Sequence, residues 1–190
     1  MVAPEFTQSE KLTRETYLVL MQALSRPGVE HVFPRYPDPK GQECLHCFLR
    51  IAETLLDPET LFYSDLPVFC ERVQGRFGTL VAPEEAEYLF LGAPESMDLA
   101  RIRHAAIGND LFPDQSATFL IWENPGPTSQ FYMRGPGIEE SVRVESQGVP
   151  ISFWKLRNEK VRYPLGWDLF LVNGSIVRGI PRSSELRIVR

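Results

Sequence analysis

A chain of 190 residues, 43% hydrophobic and 24% charged, has the length of one globular domain with a sizeable core, so a single domain over residues 1–190 is expected. A formal net charge of -5 gives no broad positive field to hold a nucleic-acid backbone or an anionic membrane surface. No nucleic acid or membrane is therefore expected as a partner, and any anion must be met locally. No run of about 18 uncharged apolar residues occurs, and Met1–Lys11 carries acids early with no apolar stretch behind a basic start, so a soluble cytoplasmic protein is expected.

Taken in chain order, Thr7 and Glu10 form a capping box ahead of an amphipathic helix with Tyr17, Leu20, Met21 and Leu24 on one stripe and a stop at Pro27-Gly28. A second helix fits Cys44–Leu56, with Leu45, Phe48, Ala52, Leu55 and Leu56 on one side before Asp57-Pro58 ends it. A short strand follows over Leu61–Ser64, then a helix over Pro67–Val73 with proline at its start. Thr79–Val81 and Tyr88–Leu91 read as strands, and Pro94–Arg103 as a helix.

Ala117–Trp122 is a run of apolar and β-branched residues, and Phe131–Met133 leads into the break Gly135-Pro136-Gly137, with Val142–Val144 pairing nearby. Ile151–Leu156 opens a last helix that ends at Tyr163-Pro164-Leu165-Gly166. Trp167–Val172 lacks polar alternation after Asp168, which marks a central strand covered on both faces. Asn173-Gly174 signals a tight hairpin with Ser175–Ile180 as the return strand. The sum is an α/β fold, one three-layer domain with a mixed sheet flanked by helices.

With Asn173-Gly174 as the loop, Val172 pairs with Ser175, Phe170 with Val177 and Asp168 with Gly179. Asp168, an acid on a buried strand, must then be paired, hydrogen-bonded or protonated, and the space above Gly179 is where its partner would fit. It reads either as a structural carboxylate accepting backbone N–H groups or as part of a ligand site or interface. Arg178 and Arg182 should project from the opposite face, and with Arg187 and Arg190 they make the C-terminal segment locally basic. Arg182, framed by Pro181 and by Ser183-Ser184, is the favoured anion-binding arginine, with a solvated surface charge as the plain alternative. Gly135 and Gly137 bring backbone N–H groups close together, as a tight turn or an anion site, but without the lysine and hydroxyl of a nucleotide loop.

Cys44, Cys47 and Cys70 are an odd number of thiols in a chain with no export signal, so reduced cysteines are expected. A lone Cys44-Leu45-His46-Cys47 on a helix is better explained by packing than by zinc, and no metal is expected. His31 and His104 have no neighbours in sequence that form a triad. Phe33, Tyr36, Phe112 and Trp122 are open between core positions and an apolar surface for partners.

Several segments taken together resemble one family. These are Ala23-Leu24-Ser25-Arg26-Pro27-Gly28, then Gly135-Pro136-Gly137-Ile138, then Tyr163-Pro164-Leu165-Gly166-Trp167-Asp168-Leu169, then Ile180-Pro181-Arg182-Ser183-Ser184. In order and spacing they are similar to the PhnH family, the H subunit of the bacterial carbon-phosphorus (C-P) lyase system of phosphonate catabolism.

The resemblance implies a reduced fold similar to pyridoxal-phosphate-dependent transferases but without the cofactor. Neither Lys155 nor Lys160 matches a Schiff-base lysine, so no cofactor is expected. It further implies a homodimer that joins the G, I and J subunits of the core complex. That complex forms ribose 1-alkylphosphonate 5-triphosphate at the expense of ATP, before an iron-sulfur subunit cleaves the carbon-phosphorus bond. On this reading the chain is an accessory subunit, not catalytic alone. A separate reading is a stand-alone enzyme or binding protein for a small phosphorylated metabolite, with Asp168 as base or orienting acid and Arg182 on the phosphate.

Overall fold

The computed structural model describes residues 7–34, 43–92 and 97–189. Thr7 opens the first helix, α1 (Gln8–Ser25), through the expected capping box: its side chain accepts from the Glu10 N–H while the Glu10 carboxylate accepts from the Thr7 N–H at 2.7 Å. The buried face of α1 is Thr16, Leu20 and Ala23. Tyr17 and Met21, placed on the inner stripe by spacing, are about half exposed, because the helix meets the sheet along a narrower line than its apolar stripe.

A short edge strand, β1 (His31–Val32), follows, then α2 (Glu43–Leu55), β2 (Leu61–Ser64), α3 (Pro67–Val73), β3 (Thr79–Leu80) and β4 (Tyr88–Leu91). The helix expected over Pro94–Arg103 is the single turn α4 (Leu99–Ile102). Asp98 starts it by accepting from the amides of Ala100 and Arg101, and residues 93–96 lie outside the described residues. The chain continues with β5 (Thr118–Trp122), β6 (Thr128–Arg134), β7 (Val142–Gln147), α5 (Ile151–Lys160), β8 (Asp168–Asn173), β9 (Ile176–Ile180) and β10 (Glu185–Ile188).

Seven strands form one mixed sheet in the order β1-β9-β8-β5-β4-β2-β3. The pairs from β3 to β8 are parallel, and β9 and β1 add antiparallel. Because β5 and β8 are covered on both faces, their alternate residues enter two cores. Leu120, Trp122, Phe170 and Val172 pack with Phe48, Ile51 and Phe69 of α2 and α3. Phe119, Ile121, Leu169 and Leu171 pack with Phe153 and Trp154 of α5. This is why neither strand shows polar alternation.

The second core has a further wall that sequence reading reached only in part. Strands β10, β6 and β7 form a separate antiparallel sheet that contributes Phe131, Met133, Val144 and Leu186. The expected pairing of 131–133 with 142–144 is present, with Phe131 opposite Val144. Phe33 and Trp122 belong to the core at 3% and 9% exposure, Phe112 is exposed, and Tyr36 lies outside the described residues.

The hairpin exists but in another register. Asn173 pairs with Ile176, Val172 with Val177 and Phe170 with Gly179, so the two loop residues are Gly174 and Ser175. Only Gly174 has positive φ, at 57°, and Asn173 remains in the strand. A glycine at the first loop position alone fits a type II′ turn rather than the type I′ turn read from Asn-Gly. Gly179 therefore faces Phe170, not Asp168. The space it leaves is filled by the Ala23 carbonyl of α1, and the Gly28 N–H donates to the Gly179 carbonyl at 3.0 Å.

Candidate functional site

Three turns from distant parts of the chain meet where the chain passes from β9 in the large sheet to β10 in the small one. Gly28, just after α1, packs so closely on Met133 and Val142 that a Cβ there would lie 2.9 Å from either side chain. A Cβ on Gly137 would lie 2.6 Å from the Ser25 carbonyl oxygen, and one on Gly135 would lie 2.8 Å from that of Ser183. Gly135 and Gly137 both have positive φ and close a turn in which the Ile138 N–H donates to the Gly135 carbonyl. Here glycine is needed for the close approach of other backbone.

Asp168, at the start of β8, finds its partner in Arg182. Its Oδ1 accepts from the Arg182 amide at 2.7 Å, and its Oδ2 accepts from Nε at 3.0 Å and from a terminal guanidinium nitrogen at 2.5 Å. The remaining terminal nitrogen of Arg182 donates to the Pro113 carbonyl. Each side chain of the pair is 17% exposed. Arg182 therefore turns toward Asp168 instead of projecting from the opposite face, since the chain after Ile180 leaves the strand and wraps over the β8 N-terminus. All three of its guanidinium nitrogens are engaged within the protein.

Arg178 lies at the other end of β9 and does not join this group. It pairs at 2.5 Å with Glu123, whose side chain is 1% exposed and whose second oxygen accepts from the Gln147 amide at 3.2 Å. Glu123 follows directly on the apolar strand β5, a position the sequence reading did not single out.

Another residue missed by sequence reading is Arg157 of α5, 1% exposed. Its terminal nitrogens donate to the Ser184 carbonyl at 2.8 Å and the Pro181 carbonyl at 2.9 Å, tying the helix to the link that holds Arg182. Burial pushes its pKa down to about 10, against the opposing pull of the Asp168 carboxylate. The signal was present: Arg157 stands three and four residues after Trp154 and Phe153, on the buried face of its helix. Ser184 is buried with its hydroxyl unpartnered, Ser183 is partly exposed, and Arg187 lies over the Tyr132 ring on the second sheet. Arg190 lies outside the described residues.

Two clefts adjoin this corner. One of about 550 Å³ has Arg182 on one side and Glu85, Glu87 and Asp114 among its other walls. The other, of about 300 Å³, carries Arg157, Arg162, Ser183 and Ser184. The cysteines lie elsewhere. Burial raises the Cys44 thiol to about 12 and pushes Cys47 up as well, so both are packed groups rather than reactive ones. Among the described residues no group of three or more His, Cys, Asp or Glu could hold a metal ion, and no helix is long and apolar enough to cross a membrane.

Comparison with known proteins gives this corner a context. The model of the PhnH family, described as bacterial phosphonate metabolism protein, matches residues 4–187. The chain belongs to the PhnH family. Among curated proteins it is similar to the putative C-P lyase subunit protein HtxG of Stutzerimonas stutzeri, with 29% identity over 171 residues, which is 89% of this chain and 83% of the relative. The PhnH match covers the described helices, both sheets but for the last residue of β10, and the three turns of the corner.

Proposed function

We propose that this chain is the H-type subunit of a C-P lyase complex in organic phosphonate catabolism. It supports the ATP-dependent formation of ribose 1-alkylphosphonate 5-triphosphate and is not catalytic alone. The observation that carries this reading is the family match over 4–187 together with a relative named as a C-P lyase subunit across most of both chains. In this reading the chain is a homodimer, binds the G, I and J subunits, and acts in the cytoplasm as one domain. Its fold would be a reduced version of the pyridoxal-phosphate-dependent transferase fold without the cofactor.

The internal engagement of Asp168 and Arg182 supports an assembly role over a catalytic one. A general base needs a carboxylate lone pair directed at substrate, and Arg182 already takes three of the roughly four acceptor sites of Asp168. Co-expression with the G, I and J subunits tests the proposal. The expected outcome is a stoichiometric complex whose ribosyl-transfer activity is lost when this chain is omitted. Full activity without it would overturn the reading.

A further inference from the structure

The smaller cleft lies between the end of α5, the turn that follows it, and the Arg182–Ser184 link, with Arg157, Arg162, Tyr163 and Ser183 in its wall. We infer that this cleft binds a tetrahedral oxyanion, a phosphate or phosphonate group. Arg162 and the amide and hydroxyl of Ser183 are its direct ligands, and Arg157 is the fixed charge beneath them. The inference stands on the isolated chain and does not depend on its assembly into a complex.

Arg157 is buried, yet no carboxylate lies within ion-pair distance of it among the described residues. Its contacts are two backbone carbonyls and the Asn158 side-chain oxygen. Its Nε and the neighbouring Ser184 hydroxyl have no hydrogen-bond partner. A desolvated guanidinium with no carboxylate hydrogen-bonded to it leaves a positive potential at the cleft it lines. Asp168, the acid that acts on it, has both oxygens committed to Arg182. Arg162 and Glu185 on the rim are both exposed and screened alike, so the excess of three arginines over Asp168 and Glu185 rests on buried Arg157, and it leaves the corner positive within an acidic chain.

Geometry then selects the ligand. The Arg162 side chain is exposed and makes no hydrogen bond or ion pair with the described residues. The Ser183 amide and hydroxyl are likewise unengaged, while the turn around them is held by the Ser184 amide donating to the Pro181 carbonyl at 3.0 Å. Arg162 and Ser183 line the same cleft, and a guanidinium fork, an amide and a hydroxyl together offer more donors than a carboxylate's two oxygens need, which suits a phosphate or phosphonate group.

Titration calorimetry of the full chain at low ionic strength, with inorganic phosphate, methylphosphonate and acetate as probes, tests the inference. Saturable binding of phosphate or methylphosphonate at one site per chain is expected, with acetate weaker; the tighter of the first two identifies the source of the group. Arg162→Ala should weaken that binding by about tenfold or more, and Ser183→Ala by several-fold. Arg143→Ala removes an exposed arginine paired with Glu145 on the second sheet and should leave binding unchanged. Circular dichroism would show that the variants remain folded, as expected for side chains outside the core. No saturation up to about 10 mM, an Arg162→Ala variant that binds as the parent does, or an equal loss in Arg143→Ala would each overturn the site.

Discussion

Asp168 shows how far the chemistry of a single residue can be read from sequence. That an acid on an apolar strand needs a partner follows from the cost of burying an unpaired charge, and the partner is present. Its identity was not legible, because it depends on where the chain travels after the strand ends at Ile180. Arg157 and Glu123 were missed for a related reason: each is a charged residue at a core position, which reads as a surface position until the tertiary contacts are known. Replacing Asp168 by Asn should leave Arg182 largely enclosed without its counter-charge and cost about 3 kcal/mol, visible as a lower urea midpoint with unchanged slope. The thiols make a second prediction. A Cys44 pKa raised to about 12 means that the folded state holds its proton above pH 9, where the unfolded chain loses it. The contribution to stability is complete below pH 9 and falls as pH rises toward 12. At pH 8, alkylation of Cys44 and Cys47 in the folded protein should be much slower than in urea-unfolded chain, and equal rates would contradict the burial.

At the scale of elements, the strands and helices with strong local signals appear close to where the sequence puts them. The capping box at Thr7 and Glu10, the proline at the start of α3 and the unalternating run of β8 are local chemistry, and each is realised. The hairpin register was misread because Asn-Gly has two outlets: a turn using both residues, or a turn using Gly174 first. The close seat of the Ala23 carbonyl over Gly179 is compatible with the second, since it requires a residue without a side chain opposite Phe170. Strands β1 and β10 carry few residues and gain their pairing from neighbours far along the chain, so no local pattern announces them. The observed register makes a distinguishing prediction. Gly174→Ala should cost about 1 kcal/mol because of its positive φ, while Asn173→Thr should be nearly neutral. The reverse ranking in thermal melts would restore the other turn. Gly179→Ala should be worse than either, by roughly 2 kcal/mol or more, because its Cβ meets helix backbone that has nowhere to move.

For the whole molecule, two sheets and five helices among the described residues enclose two cores, and three turns within the matched span 4–187 converge where the large sheet passes to the small one. The mixed sheet with helices on both faces was legible from alternating elements, while the second sheet was not, because β6 and β7 read as fragments around a glycine-rich break. Much of the corner's glycine punctuation is explained by close packing, which leaves the exposed surface as the place where a subunit would do its work. The central claim is that this work is assembly into a C-P lyase complex. Native mass spectrometry of the tagged chain, drawn from cells grown on a phosphonate as the phosphorus source, tests it most directly. The expected species is a dimer of this chain with stoichiometric G, I and J subunits. A bare chain, alone or dimeric, under conditions in which those subunits are expressed and purify together without it, would contradict it.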